Sequence, residues 1–311
     1  MKNEERTMNR KPFSGIQKRR LYLSLCAIPF VVFYLTFSYA PLAGWLLAFL
    51  NFKPGIPLDK TPFVGLGNFD IIRQDWSNTI RVIRNTLAMN AFLIICAPLP
   101  AVFAIFLNEM RSKRYKKFVQ TVTTLPNFIS WVIIFSISYV FFSSEGLLNA
   151  LLALLGMENS SSNIMGNGDA VWYFQTALGV WKTLGWNAII YLAAISGVDN
   201  ELYDAVYVDG GGRFRKIWHV TVPGIMPTFV VLLILQLSSI LTTGIDQYLV
   251  FRNPLVADAI ETIDLYVYRL GIQNNDISYA TAVGMIQTLI SIMLLFAVNR
   301  FSKKINGQSI I

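Results

Sequence analysis

The chain has one histidine, His219, and no Ser, Cys or metal-ligating cluster stands at a spacing that would make it a catalytic base. No His-Glu-x-x-His motif offers a zinc site, and no carboxylate pair sits inside an apolar run to serve an intramembrane hydrolase. Cys26 and Cys96 fall in separate apolar runs, which excludes a disulfide framework and a Cys-x-x-Cys or Cys/His metal site. Both are expected to be small packing residues. A Gly-x-x-x-x-Gly-Lys-Ser/Thr loop that would cradle phosphates is also missing. The chemistry left to the chain is hydrogen bonding in apolar surroundings. Lys182 stands near Trp181, Gly185 and Asn187, and a lysine there either faces a water-accessible interior or snorkels to an interface. Gln236, Ser239 and Thr243 recur at i, i+3 and i+7, the spacing of one helix face. Such a face lines a polar path or glues two helices together.

Those groups gain meaning from the elements that carry them. With 54% hydrophobic and only 14% charged residues in 311, the chain reads as a membrane protein. Six stretches carry no charge or one isolated charge: 21–52, 85–108, 118–144, 170–198, 220–245 and 277–299. Each supplies the roughly 20 residues a helix needs to cross ~30 Å of hydrocarbon. None shows the strict alternation of a barrel strand, so the expected fold is all-α with six transmembrane helices. The expected organisation is a basic N-terminal segment over 1–20, a six-span domain over 21–305 and a tail over 306–311. Segment 1–20 holds seven Lys and Arg, 111–117 five, 199–219 three and 300–311 three, together 18 of 26. The positive-inside rule then puts both termini in the cytoplasm. This scatter beside membrane spans explains the net charge of +8 and excludes nucleic-acid binding. The run after Lys18-Arg19-Arg20 is too long for a signal peptide and lacks a small-residue cleavage site, so it is expected to be an uncleaved first span. The stretch 246–276 is expected to be an outer loop.

Between spans four and five lies the polar stretch 199–223. Asp199 or Asn200 can cap a short helix that sets Leu202, Ala205 and Val206 on one face. Gly210-Gly211-Gly212 ends that helix, and Arg213 to His219 can form a second, basic and aromatic turn. Geometry alone leaves two readings open: an amphipathic connector on the membrane surface, or an apolar knob that fits a soluble partner.

The order Asp204-Ala205-Val206, Gly210, then Val220-x-Val222-Pro223 resembles the coupling loop of binding-protein-dependent ABC importer permeases. That family's pattern is Glu-Ala-Ala, three residues, Gly, nine residues and Ile-x-Leu-Pro. Asp204 stands for the Glu and Val206 for the second Ala, with the spacing intact. Further similarity to carbohydrate-importer permeases of the LplB-like oligosaccharide subgroup runs through Gln120 to Trp131, Asn253-Pro254, Tyr266 to Gly271 and Ala282 to Asn299. The resemblance implies a type I ABC importer permease fold in a bacterial plasma membrane, with no enzyme activity and no cofactor in this chain. It implies a second homologous permease, two ATPase subunits that bind ATP and Mg, an extracytoplasmic solute-binding protein, membrane lipid and an oligosaccharide or sugar-derivative cargo. Asp204, Ala205, Val206, Asp209, Gly210 and Pro223 would form the ATPase-coupling loop. Sugars present hydroxyls and apolar C–H faces, so Ser130, Trp181, Gly185, Gln236, Ser239 and Thr243 are the candidate cargo path. The alternative is a secondary transporter driven by an ion gradient. It would place ionisable groups at the midplane, where only Lys182 is available and no acid accompanies it.

Overall fold

The computed structural model describes residues 15–156 and 163–306. Most of segment 1–20, the tail beyond 306, and 157–162 of the loop after span three lie outside the described residues. Six helical stretches are long and apolar enough to cross a bilayer: Tyr22–Phe49, Trp76–Asn108, Trp131–Leu154, Val171–Ser196, Arg213–Ser238 and Ile277–Arg300. They are spans one to six below.

Each span departs from a straight rod where its sequence requires it. Span one runs as α-helix over Gly15–Tyr34, widens over Leu35–Tyr39 and tightens to a 3-10 helix over Ala40–Phe49, with Pro41 in the first turn of the tight part. Span two begins at Trp76, ahead of the charge-free run, and its Arg81 is paired with Glu261 and Asp258. It bends at Cys96-Ala97, where Pro98 cannot donate a backbone bond and a new helix Pro98–Asn108 starts.

Span three is not the single helix expected over 118–144. The helix Lys113–Thr124 gives way to a 3-10 turn Leu125–Phe128, and a second helix runs over Trp131–Phe142. The second piece rises about 18 Å, short of the ~30 Å of hydrocarbon. The turn lies against Lys182 and Gly185, near the middle of Val171–Ser196.

Span five also differs from the run over 220–245. Arg213–Lys216 is not a separate turn but leads through a wide turn, Ile217–Thr221, into Val222–Ser238. The widening lets Pro223, which has no N–H, sit inside a continuous helical path. The helix stops at Ser238, and 239–245 is a non-helical break that includes Gly244 at φ +77°.

The stretch 246–276 is folded, contrary to the loop expected there. Helices Asp246–Phe251, Ala257–Ile260 and Ile263–Tyr268 bury Tyr248, Phe251, Ile260 and Leu265 against Met89, Ile134 and Val171 of spans two, three and four. Asn85 Nδ2 donates to the carbonyls of Asp258 (2.7 Å) and Glu261 (3.0 Å), and Thr86 Oγ1 accepts from the Ile263 amide at 2.9 Å. Glu261 is buried and held by Arg81 and Arg269. A second cluster, Ala101, Ala104, Ala188, Tyr191 and Ile225, joins spans two, four and five through small residues that let backbones approach closely.

Candidate functional site

The loop after span four is built much as its residues demand. Asp199 accepts from the Glu201 amide at 3.0 Å and caps the helix Asn200–Val208. Gly210, at φ +67°, ends it, with the Gly211 amide donating to the Val206 carbonyl at 2.8 Å. That left-handed turn is the reason glycine stands there. Of the residues expected to share one face, Leu202 and Ala205 are exposed while Val206 is half-buried. Tyr203 and Val206 turn inward instead: the Tyr203 hydroxyl lies 3.3 Å from Thr221 Oγ1, and Lys216 sits over its ring at 5.5 Å. Leu202, Ala205, Tyr207 and Val208 stay exposed beside Asp204 and Asp209, which make no ion pair with another described residue. Arg213 and Lys216 hold Glu109, at the end of span two, at 3.1 and 3.3 Å. The loop is thus anchored from below span two and shows a bare apolar knob: Tyr207 and Val208 are each 83% exposed. His219 only meets the Arg215 carbonyl, one turn back.

The polar groups inside the spans separate into two sets. Gln236 and Ser239 line a cavity of about 360 Å³ between spans two, four and five, a size that suits a small ligand. Thr183 and Asn187 of span four face the same space, with Cys96, Phe229 and the buried Tyr191. The sequence reading missed Thr183, and it noted Asn187 beside Lys182 without placing it on the path. Their signal was present, as four-residue spacing on one face of span four.

Thr243 is not on the face of Gln236 and Ser239. The helix has ended, and Thr243 belongs to the break, where its amide (2.7 Å), its hydroxyl (3.3 Å) and the Gly244 amide (2.8 Å) all donate to Asp264. Gln287 of span six donates to the other oxygen of Asp264 at 2.7 Å.

Gly185 provides no room in the cavity; it is a contact point. A Cβ there would stand 2.2 Å from the Thr123 carbonyl oxygen. Trp181 is 46% exposed and lies outside the cavity lining. Lys182 neither faces the cavity nor snorkels away. Its ammonium donates to the carbonyls of Pro126 (3.1 Å), Asn127 (3.0 Å) and Ile129, and lies 5.3 Å from the Trp131 ring centre. Ser130 caps the next helix, accepting from the Ile133 amide at 3.4 Å. The break in span three is therefore held by a cation from span four, and four of the six expected path residues (Ser130, Trp181, Gly185 and Thr243) stand away from the cavity.

Comparison with known proteins adds a family to this geometry. The family described as binding-protein-dependent transport system inner membrane component matches residues 100–307. Protein LplB of Bacillus subtilis (strain 168) is 37% identical over 299 residues, covering 94% of this chain and 92% of that protein. The polygalacturonan/rhamnogalacturonan transport system permease protein YteP of the same organism is 37% identical over 298 residues, 95% and 91% of the two chains. A solved bacterial ABC transporter that imports the acidic polysaccharide alginate has a chain of the same shape. The TM-score is 0.83 at 32% identity, over 93% of this chain and 97% of that one.

Proposed function

The chain belongs to the family of binding-protein-dependent transport system inner membrane components, and from that premise we propose how it moves an oligosaccharide or sugar derivative. It is a six-span permease of the ABC importer class, and family membership sets aside the ion-gradient-driven reading. The observation that carries the cargo reading is the cavity whose lining combines Thr183, Asn187, Gln236 and Ser239 with Phe229 and Tyr191. Amides and hydroxyls meet sugar hydroxyls, and aromatic and aliphatic walls meet the C–H faces. The saccharide systems named among its relatives support this choice.

The chain makes and breaks no bonds in this reading. Two ATPase subunits bind ATP and Mg, and the knob of Leu202, Ala205, Tyr207 and Val208, with Asp204 beside it, inserts into one of them. ATP binding favours one arrangement of the spans and cargo release the other, so hydrolysis alternates access to the cavity. A second permease completes the path, and an extracytoplasmic solute-binding protein delivers cargo on the side opposite the loop. Both termini are cytoplasmic by the charge distribution.

The test is Gln236→Leu together with Asn187→Leu in the reconstituted importer. Uptake of the oligosaccharide should fall at least tenfold while basal ATP hydrolysis persists. Unchanged uptake with loss of the complex in detergent would make this face helix-packing glue. Asp204→Arg and Gly210→Val should each lower sugar-stimulated hydrolysis without affecting membrane insertion. Normal transport by both would reduce the loop to a connector.

A further inference from the structure

A second cavity, of about 480 Å³, opens at the far end of span three from the coupling loop. Three turns form it: Ser143-Ser144 after Trp131–Phe142, the turn Asn163–Gly166 before span four, and Arg252 to Leu255 after Asp246–Phe251. Asparagine side chains brace the turns and join two of them. Asn149 Nδ2 donates to the carbonyls of Ser143 (3.1 Å) and Ser144 (3.0 Å). Asn253 Nδ2 donates to the Met165 carbonyl at 3.0 Å while its Oδ1 accepts from the Leu255 amide at 3.0 Å. Gly166 is needed for the close approach, since a Cβ there would stand 2.5 Å from Asn163 Nδ2 and 2.8 Å from Leu255 Cδ1.

This rigid frame presents side chains that the fold itself does not use. Arg252 is the chief of them. Its Nε is buried without a hydrogen-bond partner, and its guanidinium forms no ion pair among the described residues. Its neighbours do not lack charge compensation: Glu261 and Asp258 answer Arg81, and Glu261 answers Arg269. Burial first, and then the nearby charges of Arg252 and Arg81, hold the Arg269 guanidinium below its usual value, while Asp258 acts against this. Of the three neighbouring guanidinium groups, two form ion pairs and Arg252 forms none among the described residues, while Arg81 Nε, like that of Arg252, is buried without a hydrogen-bond partner. Around it, the hydroxyls of Tyr139, Ser143 and Ser144 donate to no group among the described residues, and Phe135 and Tyr139 supply an aromatic wall. A buried, unpaired polar group in a folded protein calls for an occupant.

We propose that this pocket receives a carboxylate-bearing sugar unit, with Arg252 as the ligand of the carboxylate, so that the cargo is an acidic oligosaccharide. The proposal rests on the oligosaccharide reading above. The guanidinium fork matches a carboxylate with two parallel hydrogen bonds, and hydroxyl groups beside an aromatic wall suit the rest of a pyranose ring. The central cavity, lined by neutral amides and hydroxyls, then takes the chain onward without a charge to hold it back.

The complete importer in proteoliposomes, supplied with its binding protein, tests this with two probes. One is an oligogalacturonate; the other is the same oligosaccharide with its carboxyl groups reduced to alcohols. Arg252→Gln should lower uptake of the first about tenfold and of the second less than twofold, as expected for loss of a charge-assisted hydrogen bond. Arg252→Lys, which keeps charge and bulk, should recover part of the loss, and the thermal transition of each purified complex reports folding. Equal losses on both probes, or no loss, would overturn the proposal. A fall in binding-protein affinity would overturn it too, by making Arg252 a protein–protein contact. Uptake of neither probe by the unaltered importer would instead sink the oligosaccharide reading itself.

Discussion

Two spans of this permease adjoin breaks in the helical path, and the breaks are mended with opposite charges. In span three the break leaves the carbonyls of Pro126, Asn127 and Ile129 open, and Lys182 donates to all three. In span five the break leaves the amides of Thr243 and Gly244 open, and Asp264 accepts from both. Hydrocarbon offers no water to exposed backbone, so each break needs a side chain from elsewhere in the chain. The sign of that side chain follows from which half of the peptide group is left over. Lys182 and Asp264 thus each have a structural task in the fold. Both are substitutes for missing backbone partners.

The comparison is open to attack at four points, the largest expected effect first. Gly185→Val pushes a side chain into the Thr123 backbone, where even a Cβ would come within 2.2 Å, so span three cannot seat on span four. The importer should then fail to assemble, as judged by size-exclusion chromatography. Lys182→Met uncovers three carbonyls together and should lower stability by about 3 kcal/mol, read as a large fall in the melting temperature of the detergent complex. Lys182→Arg should cost much less, and a stable Lys182→Met complex would show that the kink needs no cation.

Asp264→Asn keeps one acceptor oxygen and sets its NH2 against either the Thr243 and Gly244 donors or the Gln287 donor, at a cost of about 1–2 kcal/mol. Because this break adjoins Ser239 of the central cavity, transport should suffer more than stability does. Thr243→Val removes only the hydroxyl's long contacts, to Asp264 (3.3 Å) and the Gly244 carbonyl (3.4 Å), and leaves the backbone amide in place, so about 0.5 kcal/mol is expected. A loss as great as that of Asp264→Asn would move the weight of the latch from the backbone to the hydroxyl.

What the chain discloses by itself is whatever depends on local order and on the solvent. Six apolar runs had to be helices because hydrocarbon leaves no other open-chain solution, and the capped helix ending at Gly210 was legible because cap and glycine act on neighbours a few residues away. The lining of the central cavity was only partly legible. Gln236 and Ser239 reach the cavity, but Thr243 does not, because periodicity assumes that the helix continues and only the bonds to Asp264 end it. Thr183 and Asn187 enter the cavity because span four happens to turn that face toward spans two and five. Lys182 had two readings in the sequence and a third in the structure, since its partners lie more than fifty residues away in the chain, at |i−j| of 53 to 56. The tertiary structure alone also folded 246–276 onto the spans, through Asn85, Thr86 and Arg81, whose partners are carbonyls, an amide and a carboxylate about 175 residues distant. Periodicity and propensity describe a residue's neighbours along the chain. Which polar groups inside a membrane are spoken for is decided by neighbours in space.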